Sequence, residues 1–293
     1  MKALIIAEHA AAAAELVAGA RTMADEVVAI SFGGAYECGA DKVLNITVPE
    51  GLTVDSAVET VNAAFDAENP EVVLVEACRH MKVIAGSLAF HADTAVITDV
   101  TAFEAAGAKS MYFGGIAERV QKAAGNVAIY TIGAGVFDGA EGANGSVAEQ
   151  EWVAPARPVK VVSSQVIEKS GVNLFKADVV VAAGRGFAEE SQLSMANDLC
   201  DKLGAGLACS RPLTEGVNWL PTERYVGVSG LMLTPKVYIA VGISGQMQHM
   251  VGCNRSGAIF AINKDKNAPI FKQCDFGLVG DIKDVLPAIT AAL

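Results

Sequence analysis

Short, solidly apolar runs alternating with Ala-rich stretches of helical spacing constrain this chain more than any other feature. A strand buried on both faces reads as a continuous Val/Ile/Ala/Leu run. A helix laid over such a sheet shows apolar residues every three to four positions. In the first half the runs at 2–7, 26–31, 42–47, 71–76, 94–99, 110–113, 126–131 and 159–163 read as strands, and 10–24, 54–68 and 82–90 read as helices. That alternation predicts a parallel sheet with helices on its faces.

A Gly-rich stretch, 135–152, then interrupts the pattern, followed by Pro155 and Pro158. The polar segment 168–173 marks a domain boundary, which divides the chain into 1–170 and 171–293. Beyond it the alternation restarts, with strands at 178–183, 206–210, 236–241, 258–263 and 276–279 and helices at 189–203, 246–251 and 281–292. The expected fold is therefore α/β in two domains, an N-terminal parallel-sheet domain and a C-terminal Rossmann-like one. A length of 293 residues is enough for both to hold a core.

Composition removes several function classes. A net charge of −11 opposes nucleic-acid binding. The apolar runs are too short to cross a membrane, and the first residues turn acidic too early for a signal peptide. The expectation is a cytoplasmic protein. The six cysteines include no C-x-x-C pair and the four histidines no H-x-x-x-H, so no metal is expected and the thiols read as reduced.

In a doubly wound sheet, ligands sit beyond the carboxyl ends of the strands. Four such ends carry informative residues. Gly184-Arg185-Gly186 sets an arginine in a close turn, where a guanidinium clamps a phosphate or merely decorates the surface. Ser210-Arg211-Pro212 repeats the arrangement. Val241-Gly242-Ile243-Ser244-Gly245-Gln246-Met247-Gln248-His249 runs from a buried strand into a Gly-x-Ser-Gly turn and a helix, whose amides suit a pyrophosphate. It lacks the G-x-G-x-x-G dinucleotide fingerprint. Asn263, at the fourth strand end, suits ribose or adenine, and Asp281 does so too or simply caps the last helix. Tyr225-Val226-Gly227-Val228-Ser229-Gly230 lets the backbone approach a flat ligand, but its spacing is one residue short of a serine-hydrolase elbow. Gly133-Ala134-Gly135 follows a strand without a helix after it and reads as a connection.

In their order, these motifs, together with Ala261-Ile262-Asn263-Lys264-Asp265 and Asp275-Phe276-Gly277-Leu278-Val279-Gly280-Asp281, closely resemble the FAD domain of electron-transfer flavoprotein alpha subunits. The resemblance covers about 175–290. It implies an FAD-holding electron carrier rather than a stand-alone enzyme, in a heterodimer with a beta subunit that itself carries AMP or a second FAD. It implies a flavin dehydrogenase, typically one acting on acyl-CoA, as electron donor, in a simple or an electron-bifurcating system.

The resemblance also implies the site. Arg185, Ser210, Ser244, Gly245, Gln246, Met247 and Gln248 would hold the pyrophosphate and ribityl parts, and Asn263, Asp281 and Ile282 the adenosine end. Arg211 would lie against the isoalloxazine ring, Val226, Gly227, Val228 and Ser229 would line it with Ser229 near N5, and His249 would sit near the N1–O2 edge. Family members often carry Gln-Thr where this chain has Val228-Ser229, so the hydroxyl is kept and an amide lost. Two other readings keep the fold: a redox-inactive protein that binds NAD or an adenine nucleotide, and an NAD-dependent enzyme.

Overall fold

The computed structural model describes residues 1–139, 142–165 and 172–293. The expected boundary at 168–173 therefore falls largely outside the described residues. The chain divides into two units, one holding Met1–Tyr112 and 118–165, the other 172–293 together with Phe113–Ala117.

In the first unit the strands are β1 (Lys2–Ile6), β2 (Glu26–Phe32), β3 (Lys42–Ile46), β4 (Val72–Glu76), β5 (Val96–Glu104), β6 (Gly107–Tyr112), β7 (Ala117–Gln121), β8 (Ala128–Ile132) and β9 (Ser146–Glu149). They form one sheet in the order β7-β6-β5-β8-β4-β1-β2-β3-β9. β1 pairs parallel with both β2 and β4, and β5 antiparallel with β6. The helices are α1 (Ala10–Arg21), α2 (Val58–Glu68) and α3 (Arg79–His91). Because side chains alternate across a strand, β1 feeds two cores. Ala3 and Ile5 pack with Leu16 and Val17 of α1. Leu4 and Ile6 pack with Val61 of α2 and with Ile84 and Leu88 of α3.

Four expectations change. The run 159–163 is not a strand and makes only one antiparallel bridge, Leu52 to Lys160. Val159, Val161 and Val162 stay exposed, so no packed face holds the segment in a ladder. Conversely β9 forms inside the Gly-rich stretch, paired with β3. β7 was not expected either. Both are short, outer strands whose side chains are largely solvated, so neither bears the apolar run that marks an inner one. The expected helix 54–68 begins as a 3₁₀ turn, Val54–Ala57, before α2.

The second unit holds β10 (Val179–Ala183), β11 (Gly206–Cys209), β12 (Val237–Val241), β13 (Ala258–Asn263) and β14 (Phe276–Val279), with helices α4 (Leu193–Leu203), α5 (Met247–Met250) and α6 (Ile282–Ala292). All four pairings in the order β11-β10-β12-β13-β14 are parallel. Val181 and Ala183 face Leu199 of α4 and Leu286 of α6. Val180 and Ala182 share the opposite core with Tyr238, Met250 and Ile270. The register places Ala183 beside both Cys209 and Val241, and Val241 beside Ile262. Gly184, Ser210, Gly242 and Asn263 therefore reach the same edge of the sheet. The expected α/β class holds in both units.

Candidate functional site

The second sheet grows from β10 to β11 on one side and from β10 to β12 on the other, so its topological switch point lies between β10 and β12. A cleft of about 510 Å³ opens there. Two turns make its floor by close approach. The Gly186 amide donates to the Gly242 carbonyl (2.9 Å) and the Gly184 amide to that of Val241 (2.8 Å). Gly242 has φ +64, and a Cβ on it would stand 2.7 Å from the Gly186 Cα, so no side chain fits.

The turn that follows is pinned from behind. The Ser244 carbonyl accepts from the Ile270 amide (3.0 Å), and the Gly245 carbonyl from the Gln273 side chain (2.9 Å). The amides of Ser244, Gly245 and Gln246 meet no acceptor among the described residues. Successive free amides of this kind attract an anion. α5 is a single turn of four residues, so it is this loop, more than a helix dipole, that sets the chemistry.

Two arginines face the cleft. Arg185 is exposed and makes no hydrogen bond or ion pair among the described residues. Arg211 is held at its Nε by Glu215 (2.6 Å), one turn along the π-helical turn Pro212–Gly216, which leaves its terminal nitrogens outside that bond. Ser210 is nearly buried between them in sequence.

Val226–Ser229 form the cleft's second wall. The Val228 amide donates to the Gln248 carbonyl (2.8 Å), and the Gly230 amide closes the turn on Gly227 (2.9 Å). Ser229 is exposed and shares a hydrogen bond with the Tyr225 hydroxyl, so that phenol orients it. Val228 is about half exposed.

His249 is the buried polar residue of the site. Its Nε2 lies 3.0 Å from the Tyr238 hydroxyl, and its Nδ1 is buried with no hydrogen-bond partner. Burial lowers the imidazole to about 4, against a smaller opposing effect of the Val226 carbonyl. Burial also raises the Tyr238 phenol well above its ordinary value. The phenol therefore stays protonated and the imidazole neutral; with the hydroxyl donating to Nε2, the histidine's own proton sits on Nδ1. In this environment His249 is a neutral imidazole.

At the other end, Asn263 donates to the Ile243 carbonyl (2.9 Å) and accepts from the Asp265 amide (2.9 Å). Asp281 caps α6 by accepting from the Lys283 amide (2.9 Å). Capping and cleft lining coexist for this residue. Of the expected site residues, Arg185, Ser210, Arg211, Val226, Val228, Ser229, Ser244, Gln246, Gln248, His249, Asn263, Asp281 and Ile282 line the cleft. Gly227, Gly245 and Met247 lie in the same turns but not on its surface. Tyr225, Lys264 and Pro269 line it unforeseen. Tyr225 opened the motif that runs to Gly230 without being given a role of its own, and the turn back to Ser229 supplies one.

The fold and the site together define a doubly wound α/β protein whose cleft suits an anionic cofactor. The electron transfer flavoprotein domain matches residues 3–157, and the electron transfer flavoprotein FAD-binding domain matches residues 173–254. FixB proteins of Escherichia coli O157:H7 and Shigella flexneri are each 40% identical, and FixB of Escherichia coli O6:H1 39%, over 95% of this chain and 94% of theirs. A solved thiamin diphosphate-dependent enzyme from Mycobacterium smegmatis, 15% identical over 86% of this chain and 55% of its own with a TM-score of 0.25, is too distant to bear on fold or function. The chain belongs to the electron-transfer flavoprotein alpha-subunit family.

Membership brings FAD as cofactor, electron transfer as role and a beta subunit as partner. The residues present suit that cofactor: among the described residues the amides of Ser244–Gln246, the Arg185 side chain and the buried His249 Nδ1 have no partner of their own. Among the described residues no helix is long and apolar enough to cross a membrane.

Proposed function

We propose that this chain is the FAD-carrying half of a cytoplasmic heterodimer that takes electrons from a flavin dehydrogenase of the acyl-CoA dehydrogenase type and passes them to a downstream acceptor. When bound, FAD supplies the redox chemistry, and the protein sets its potential. Arg185, Ser210 and the Ser244–Gln248 turn hold the diphosphate and ribityl chain. Asn263, Asp281 and Ile282 hold the adenosine. Arg211, Val226, Val228 and Ser229 surround the ring.

The observation that carries this reading is the unsatisfied Nδ1 of His249, buried at the cleft while Nε2 meets the Tyr238 hydroxyl, an arrangement that suits Nδ1 as a donor. A buried polar group without a partner costs about 1–3 kcal/mol. An acceptor that gains electron density on reduction recovers that cost most fully in its reduced state. His249 therefore favours the reduced cofactor without releasing its own proton. Arg211 adds positive charge on the same side of the balance.

The test is an anaerobic redox titration of the chain purified with its beta subunit. The expected result is a yellow complex whose FAD is reduced in two separate one-electron steps. The flavin count per heterodimer, one or two, then distinguishes a simple carrier from a bifurcating one. A complex that holds FAD but shows no electron exchange with any flavin dehydrogenase would defeat the carrier reading.

A further inference from the structure

The first sheet has its own switch point. β1 leads to β2 and β3 on one side, while β4 returns to its other side, so the crevice lies beyond the carboxyl ends of β1 and β4. Glu8 and His9 follow β1. Glu76 ends β4, Cys78 precedes α3, and His80 stands in the first turn of α3. None of these residues takes part in the FAD cleft.

They are close-set. The Glu76 carboxylate accepts from the amides of Glu8 (2.8 Å) and His9 (3.1 Å), and its other oxygen lies 2.7 Å from His9 Nδ1. The Cys78 thiol donates to Glu8 (3.3 Å), and Glu8 also holds His80 Nδ1 at 2.9 Å. His9, Glu76 and Cys78 present an imidazole nitrogen, a carboxylate oxygen and a sulfur within 4.8 Å of one another. Spacing along the chain hid this group, because His9 and Glu76 are 67 residues apart.

A phosphate does not suit this crevice. The two amides at the start of α1 that would cradle it already bind Glu76. The adjoining hollow of about 120 Å³ is lined by Glu15 and Glu76 and by no lysine or arginine. The combination of imidazole, carboxylate and thiolate around a small acidic hollow suits a borderline-soft divalent cation.

We infer that His9, Glu76 and Cys78 form a binding site for one Zn²⁺-like divalent cation, open at a fourth position. Bonds of about 2.0–2.3 Å set tetrahedral donors roughly 3.3–3.8 Å apart, so the most widely spaced donors must draw in and His9 Nδ1 must draw away from the Glu76 oxygen it meets at 2.7 Å. His9, about two-thirds exposed, has room to turn from its hydrogen bond with Glu76 toward the ion. Coordination replaces the Cys78 S–H bond by an S–metal bond, and the proton passes to solvent. Glu8 loses the thiol as donor and keeps His80, so it orients the rim of the site without ligating.

The test uses the FAD-loaded heterodimer, stripped of metal by chelation and dialysed against Zn²⁺, with bound zinc counted by elemental analysis. The expected result is one Zn²⁺ attributable to this chain, with affinity weakened at least about tenfold in His9→Ala and in Cys78→Ser. Cys274→Ser, a partly buried thiol in the other unit, should leave it unchanged. Retained flavin and an unaltered far-ultraviolet circular dichroism spectrum show that each variant is folded. With Co²⁺ in place of Zn²⁺, a thiolate-to-cobalt absorption should appear in the difference spectrum and vanish in Cys78→Ser. Zinc uptake that is absent, or that stays at the native affinity in His9→Ala and Cys78→Ser, overturns the proposal.

Discussion

The hydroxyl of Tyr238 stands 3.0 Å from Nε2 of His249, within reach to donate to it and so to leave the imidazole proton on Nδ1. Tyr238 lies fully buried in β12 and His249 in α5, so the phenol touches the site through the histidine. It acts through the histidine and is a positioning residue.

Tyr238→Phe removes the donor and leaves Nε2 free to take the proton. The loss of one net hydrogen bond, about 1 kcal/mol, corresponds to ~40 mV in a one-electron couple. The first one-electron potential should fall by about that much while FAD stays bound, as read by spectroelectrochemistry. His249→Ala should lower it at least as far. Unchanged potentials in both would remove the histidine from the tuning of the flavin.

The depressed imidazole also predicts a pH dependence of stability in the FAD-free chain. His249 titrates near 4 when folded and near 6.5 when unfolded. Between those values the unfolded chain binds the extra proton. The neutral form's contribution is thus complete above about pH 6.5 and is lost as pH falls through about 4. The total is on the order of 3 kcal/mol. Urea unfolding at pH 7 and pH 5 should show a wider gap for the native chain than for His249→Gln.

Arg185 and Arg211 should separate affinity from potential. Arg185 is unpaired and placed for a diphosphate, so Arg185→Ala should weaken FAD binding about 10- to 100-fold, from the loss of a charge-assisted bond of about 1.5–3 kcal/mol. Fluorescence titration of the FAD-free complex measures this. Arg211→Ala should mainly lower the potential. Its exposed ion pair with Glu215 contributes at most about 1 kcal/mol, so thermal stability should hardly move.

Gly242→Ala should cost more than either arginine. A methyl group there meets the Gly186 backbone at 2.7 Å in a left-handed conformation. Alanine in that conformation costs about 1–2 kcal/mol before the clash is counted. The expected outcome is a lower melting temperature and loss of FAD on gel filtration.

Val228→Gln, at a half-exposed position, should leave stability within about 0.5 kcal/mol and shift the flavin potential. A potential identical to the native one would show that this residue does not face the ring.

Inner strands were legible because burial on both faces writes a continuous apolar run into the chain. β10, β12 and β13 carry Val-Val-Val-Ala-Ala, Val-Tyr-Ile-Ala-Val and Ala-Ile-Phe-Ala-Ile-Asn, and the expected spans agree with them to within a residue. β7 and β9 were not, since solvated strands impose no such run, and 159–163 misled because its valines never find a face to pack on. At the cleft, Arg185, Ser210, Ser244 and Asn263 were legible from the strand ends they follow. Tyr238 was not, because a tyrosine in a buried strand looks like core until the element above it is known.

The sequence by itself determined the α/β alternation, the position of the turns at the strand ends and the residue types that line the cleft, because each depends on neighbours within a few positions. Only the tertiary structure decided the proton on His249, the orientation of Ser229 and the gathering of His9, Glu76 and Cys78. Those depend on the order in which parallel strands lie side by side. Strand order is set by the packing of whole layers, which no local stretch of residues records.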